Sequence, residues 1–144
     1  KQILPFFITL AHEFLHALNQ LERIDKVFRW LKVKEMQELV DKLGLKVLSG
    51  ASGLEREIDG CYVSDLLSDV MGNADAGNVW ITLQTHKNVM AVASLKEMAC
   101  IILVKNLSAN EDTLNQSNEE EIPILQTSMS TYEVTGKVYC LLND

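Results

Sequence analysis

Paired cysteines, prolines, glycine-rich phosphate loops and long apolar runs are scarce or missing in this chain, and each gap closes off a class of function. The three cysteines, Cys61, Cys100 and Cys140, are odd in number, far apart and without a CxxC pair. That spacing argues against a zinc ribbon, an iron–sulfur cluster or a disulfide framework. Cys61 and Cys100 lie in apolar runs and read as small buried hydrophobes; reduced thiols fit a cytoplasmic location. There is no GxxxxGK[ST], so P-loop nucleotide chemistry is not available, and no other cofactor motif replaces it. The longest apolar run, Ile3–Ala11, contains Pro5 and is too short to span a bilayer. A lysine precedes it but no small-residue cleavage pattern follows, so a signal peptide is not expected either.

Basic residues are also in short supply. Thirteen Lys and Arg face twenty Asp and Glu, a net charge of -7. The imbalance is uneven: residues 1–32 hold five basic against three acidic groups, and residues 33–144 hold eight against seventeen. An acidic main body repels phosphate backbones, which makes nucleic acid an unlikely class of partner. With 144 residues and 47% apolar composition, one domain with a viable core is expected, with room for an appendage.

What is present is mostly rhythm. Apolar residues recur through residues 6–31 near a 3.6-residue period, predicting a long helix. A second helix over Val33–Leu43 stops at Gly44, a residue suited to a left-handed cap. From residue 45 onward strands and helices alternate. Strands are expected at Leu45–Leu48, Arg56–Val63, Val79–Leu83, Cys100–Val104 and Ile124–Leu125. Helices are expected after Ser64, over Asn88–Met98, over Glu111–Glu121 and over Ser130–Leu142. This alternation predicts an α/β fold: a small, mostly parallel sheet flanked by helices, with an N-terminal helical extension. The domain division expected is 1–32 for the extension and 33–144 for the α/β domain. The extension differs in charge from the rest; a lineage-specific addition, a fused remnant and sequence upstream of the true start all fit it.

His12-Glu13-Phe14-Leu15-His16 matches HExxH on a predicted helix, the spacing with which two histidines of a zinc peptidase hold metal beside a glutamate that activates water. A third protein ligand is hard to find. His86 belongs to the later α/β block, and Glu35 and Glu38 read as the exposed face of the second helix. Residues 1–32 also leave no room for a substrate-binding sheet. The favoured reading makes His12 and His16 polar positions on an amphipathic helix, with a zinc peptidase or its remnant, through His12, Glu13 and His16, as an alternative.

The stretch around Glu55-Arg56-Glu57-Ile58-Asp59-Gly60, followed by Tyr62-Val63-Ser64-Asp65 and by Trp80-Ile81-Thr82-Leu83-Gln84-Thr85-His86, resembles the DRTGG domain family over about Val33 to Leu142. The resemblance extends to stand-alone DRTGG proteins of anaerobic bacteria, described beside iron–sulfur hydrogenase components, to the N-terminal domain of HPr kinase and to the middle part of phosphotransacetylases. Similar domains accompany nucleotide-binding CBS pairs in some pyrophosphatases. Three departures stand out: Glu55 replaces the aspartate, Glu57 the threonine, and Cys61 the second glycine.

The resemblance implies a regulatory module without catalysis or a resident cofactor. Its expected partners are a small molecule or nucleotide, a second copy in a homodimer, or another protein. A ligand-free scaffold for a redox or hydrogenase-related assembly is the alternative, with Tyr62, Trp80 and Met90 partly at an interface. Candidate ligand-binding residues are Arg56, Gly60, Ser64, Asp65, Thr82, Gln84, Thr85, His86 and Asn88. They gather where two buried strands end, the place at which α/β sheets commonly bind ligands. Plainer roles stand beside these: Arg56 as an ion-pair partner of Asp59 or Asp65, and Ser64 and Asp65 as helix-capping groups.

Overall fold

The computed structural model describes the backbone of residues 3–31 and 35–143, with side chains for 3–24 and 35–143. The chain divides into two compact units, Lys1–Lys32 and Val33–Asp144. In the first unit, helix α1 runs over Ile3–Leu31. Pro5 falls in its first turn, where a missing N–H costs nothing.

The second unit opens with α2, Met36–Leu43, which buries Met36, Leu39 and Val40 at the i, i+3, i+4 spacing of one helix face. Gly44, at φ 62°, ends it with a left-handed cap as the sequence predicts. There follow β1 (Lys46–Ser49), a 3₁₀ turn (Ala51–Gly53), β2 (Gly60–Val63), α3 (Leu67–Asn73), β3 (Asn78–Thr82), α4 (Asn88–Leu95), β4 (Cys100–Leu103), α5 (Glu111–Glu120), β5 (Ile124–Gln126) and α6 (Thr131–Asn143). The strands form one sheet in the order β1-β5-β4-β3-β2. β2 through β5 are parallel, and β1 pairs antiparallel with β5 across a register shift between Val47 and Ser49. The expected α/β architecture, a mostly parallel sheet flanked by helices with an N-terminal helix, is the observed one.

Both faces of the sheet are covered, so β3 and β4 are buried along their whole length. Their side chains alternate between two cores. Val79, Ile81, Cys100 and Ile102 pack with Met36 and Leu39 of α2 and Val134 and Val138 of α6. Trp80, Ile101 and Leu103 pack on the other face with Val70 of α3 and Met90 and Ala93 of α4. Trp80 and Met90 are fully buried, so the interface role expected of them is not available. Trp80 sits on an interior strand, and Met90 lies on the sheet side of its helix.

Helix α5 is held differently. Its inward residues are Thr113 and Ser117, with Leu114 partly buried. Ser49 Oγ donates to Ser117 Oγ at 2.8 Å, and Ser117 Oγ donates to the Ile122 carbonyl at 2.6 Å. Gly50 N donates to Asn118 Oδ1 at 2.7 Å beside them.

The strand order fixes two further features. Along β2, β3, β4 and β5 every step goes to the next neighbour in one direction. Right-handed crossovers of that kind place their helices on a single face, and α3, α4 and α5 do share one core. The parallel order never reverses, so this sheet lacks the switch-point crevice on which doubly wound folds build their sites. Second, β1 and β2 are consecutive in sequence but occupy opposite edges. Residues 50–59 must cross the sheet width, about 19 Å for four inter-strand gaps, within the roughly 33 Å that ten extended residues can reach. The stretch 56–59, expected as strand, is used up in this crossing.

The crossing segment runs close against the N-terminal ends of the strands. A Cβ on Gly53 would collide with the Glu121 carbonyl oxygen and come within 2.9 Å of Pro123 Cδ. Gly136, in the interior of α6, has open space around it. Gly53→Ala is therefore expected to lower stability by about 1–3 kcal/mol. Gly136→Ala should raise it by up to about 1 kcal/mol. Opposite shifts of the urea midpoint would show both; equal shifts would contradict the packing described.

Candidate ligand site at the strand ends

The nine residues singled out from the sequence do not form one group. Gly60 opens β2 opposite Asn78, which opens β3, so it lies at the N-terminal end of the strands. Thr82 closes β3, about 13 Å away at the rise of a strand. Gly60 has φ 156°, and a Cβ there would meet Asn78 Nδ2 at 2.8 Å. The positive φ favours glycine at that position, and the end of the Asn78 side chain would have to give way to a larger residue.

Arg56 is at the same end, on the crossing segment. Its guanidinium donates to the Glu120 carbonyl at the C-terminal end of α5, 3.2 Å, and its own carbonyl accepts the Met36 N–H. Neither Asp59 nor Asp65 is the Arg56 partner expected from sequence. A guanidinium at a helix C-terminus neutralises the negative end of the helix dipole, which accounts for this placement. Next to it Asp59 N donates to the Gly77 carbonyl at 2.9 Å. The signature stretch Glu55–Gly60 thus lies on the segment that crosses beneath the N-terminal ends of the strands, away from their C-terminal ends.

The other seven residues do converge. After β2 the chain carries Ser64 and Asp65, and after β3 it carries Thr82 through Asn88. The two stretches are laced together. Asp65 Oδ1 accepts the Thr82 hydroxyl at 3.0 Å and the Leu83 N–H at 2.7 Å. Gln84 Nε2 donates to the Asp65 carbonyl at 2.9 Å, and Gln84 N donates to Thr82 Oγ1 at 3.1 Å. The buried Trp80 indole reaches through to the Ser64 carbonyl, 2.9 Å.

These bonds correct the expectation that Ser64 and Asp65 cap a helix. α3 begins three residues later, at Leu67, with no side-chain cap, and Asp69 is the acid in its first turn. Ser64 Oγ accepts the Leu66 N–H at 3.2 Å, which leaves its own proton to donate. Hydrogen bonding from Ser64, and then from the Tyr62 hydroxyl, holds the Asp69 carboxyl below the usual carboxylate range. Tyr62 is raised in turn, by desolvation first and by its 3.0 Å bond to Asp69 second.

Beyond the lacing, Thr85 is half-buried, while His86, Lys87 and Asn88 are exposed at the start of α4. His86 Nδ1 accepts the Asn88 N–H at 3.3 Å, leaving Nε2 outward. Gln84 and Thr85 line a tight seam, without room for a water molecule, whose other walls include Val89 of α4 and Ala109 and Thr113 beside the start of α5. Asn110 shapes that wall: its Oδ1 accepts both the Thr113 N–H and the Thr113 hydroxyl, at 2.9 and 2.7 Å. Ala109 and Thr113 were not legible as site residues, although Asn110 followed by Glu111 and Asp112 is a recognisable helix start. The seam is therefore not itself a ligand pocket, which needs roughly 300 Å³ or more.

Chemically the edge offers recognition groups. Burial pushes the Cys61 thiol up to about 12 and raises Cys100 well above its ordinary value, so neither supplies a thiolate. His86 has no hydroxyl or thiol among its hydrogen-bond partners. His12, Glu13 and His16 lie exposed on α1, and among the described residues no three His, Cys, Asp or Glu side chains are grouped to hold a metal. Among the same residues no helix is long and apolar enough to cross a membrane.

This fold and the matching sequence model fix the family. The DRTGG domain model matches residues 38–140, and the chain belongs to the DRTGG domain family. In structure it is similar to the CBS and DRTGG domains of the regulatory region of Clostridium perfringens pyrophosphatase, solved with the activator diadenosine tetraphosphate. The TM-score is 0.62 at 11% sequence identity, covering 76% of this chain and 47% of that one. The chain spans about half the length of that structure. No curated protein matches it in sequence.

The lacing at the strand ends makes its own prediction. Asp65→Ala removes the acceptor for two donors and should cost about 1–2 kcal/mol. Hydrogen exchange should quicken at residues 82–84, whereas Asn88→Ala should leave that protection unchanged. Unchanged exchange in Asp65→Ala would contradict the assignment.

Proposed function

We propose that residues 33–144 form a non-catalytic sensing domain that binds a small anionic ligand of the nucleotide class at the C-terminal ends of β2 and β3. It passes the signal on by self-association or by docking on a partner protein in the cytoplasm. Residues 1–32 are a helical extension of that domain.

One observation carries the reading. Seven of the nine candidate residues share one end of the sheet, and there the lacing by Asp65 leaves His86 and Asn88 exposed with Thr85 half-buried beside them. Two features favour an anion: the positive end of the α4 dipole and the Lys87 ammonium next to it. Hydrogen-bonding groups without an activated nucleophile suit binding better than turnover. The crystallised pyrophosphatase region, with its nucleotide activator, lends the ligand class support. Because the seam beside Thr85 admits not even a water molecule, the ligand lies across the open surface outside it.

Val63, Leu66 and Leu83 are exposed apolar residues adjoining the same end. They favour, as a second reading, protein docking without a ligand, the scaffold role.

Isothermal titration with AMP, ADP, ATP and diadenosine tetraphosphate tests the first reading. At least one should bind, and His86→Ala and Asn88→Ala should each weaken it by about three- to tenfold, the worth of one hydrogen bond. Arg56→Ala, at the far end, should leave affinity unchanged. Absence of binding by all four, or affinity lost only in the Arg56 variant, would overturn it.

A further inference from the structure

Helix α1 has an apolar surface that nothing in the reading above uses. From Ile3 to Ile24 every side chain is exposed. A helix with that much apolar surface is stable only when the surface is covered.

Part of that surface follows a strict seven-residue repeat, with Leu4, Phe6, Ile8, Leu15 and Leu18 beside it. Phe7, Phe14, Leu21 and Phe28 follow one another at intervals of seven. Three residues after each comes Leu10, Ala17, Ile24 and Leu31, with Ile3 one repeat earlier. All nine positions are apolar. A straight helix drifts about 20° per heptad from such a repeat, so a seam kept over four heptads is straight only when a partner helix winds around it. A single globular docking face does not require that regularity.

We propose that α1 is a homotypic coiled-coil element, in which two copies of this chain pair along this seam. Three observations point to a second copy as the occupant. The positions flanking the seam are Leu4, Phe6, Ala11, Glu13, Leu18, Gln20, Asp25 and Val27, so two acids twelve residues apart flank it and identical helices meet without a row of like charges. The polar residues sit opposite: His12, Asn19 and Lys26 recur at the outermost heptad position, with Pro5 one repeat before them. The area also suffices. The described seam residues larger than alanine are 49–67 % exposed. At about 100 Å² each, six on either helix bring together roughly 1,200 Å², where stable interfaces begin.

The same geometry absorbs the HExxH motif. His12 and His16 fall on the solvent side of the pair, and the four-residue spacing is that of polar positions outside a coiled coil. The inference gives the self-association in the proposed function its element; ligand titration and mass measurement report on the two separately.

The test is the mass of the full chain by light scattering and sedimentation between about 1 and 100 µM, a span bracketing common assembly affinities. A mass of at least twice 16.2 kDa is expected. Phe14→Ser, which removes one seam aromatic from each copy, should weaken assembly at least about a hundredfold. Leu15→Ser, one residue off the seam and as exposed (60 % against 65 %), should change it by less than about threefold. Cross-linking provides a second measurement that does not depend on the Phe14 variant folding. In a Cys140→Ser background, Ala17→Cys should oxidise to a covalent dimer and Asn19→Cys should not. A monomer at 100 µM, equal effects of the two serine variants, no Ala17→Cys cross-link, or a monomer that instead co-sediments with anionic vesicles would each overturn the proposal.

Discussion

The placement of β1 and β2 at opposite edges of one sheet is the constraint on which the rest of the second unit depends. Because they are consecutive in sequence, the chain between them has to pass beneath the N-terminal ends of the strands. That passage fixes several residues at once. Gly53 must lack a side chain where it meets Glu121, Gly60 abuts the end of the Asn78 side chain, and Arg56 reaches the last carbonyls of α5. The signature of the family is, in this chain, largely the chemistry of a crossing. It also occupies one end of the sheet, so the opposite end is where exposed polar groups collect.

At that opposite end the polar residues divide by role. Asp65, Thr82 and Gln84 are engaged with one another and with the backbone, so their hydrogen-bonding capacity is largely spent on holding two loops in register. This rigid base presents Thr85, His86 and Asn88 at the start of α4. Such an order suits a binding surface, since groups already held by neighbours lose little freedom when a ligand arrives. The absence of a reversal in the parallel strand order explains why the surface is shallow. Helices that all cross on one face do not diverge to leave a cleft.

Much of the fold could be read directly from the residues. The continuous apolar run at Cys100 marks a strand buried on both faces, and the Met36, Leu39, Val40 spacing with Gly44 after it defines the buried face and the end of α2. Local pattern determines these elements. What depends on strand order was hidden. Nothing near Arg56 reveals that Glu120, sixty-four residues on, supplies its acceptor. Ser64 and Asp65 have the composition of a helix start, and only the adjacency of β2 to β3 turns Asp65 to Thr82 and Leu83 instead. Trp80 and Met90 read equally well as contact residues until the flanking strands and α4 enclose them. The candidate site was therefore legible as a set of residue types at strand ends, but not as two groups at opposite ends of the sheet.

The hydroxyl-lined inner face of α5 bears on the seam beside it. α4 is anchored by Val89, Met90, Val92 and Ala93, whereas α5 contributes one partly buried leucine and otherwise meets the sheet through Thr113 and Ser117. Apolar anchorage resists displacement at every point of contact, while a short chain of hydroxyl bonds is exchanged for water at small net cost. The two walls of the seam are thus unequally tethered. The gap between Thr85 and Thr113 is bounded by an apolar anchorage on one side and a hydroxyl-bonded one on the other.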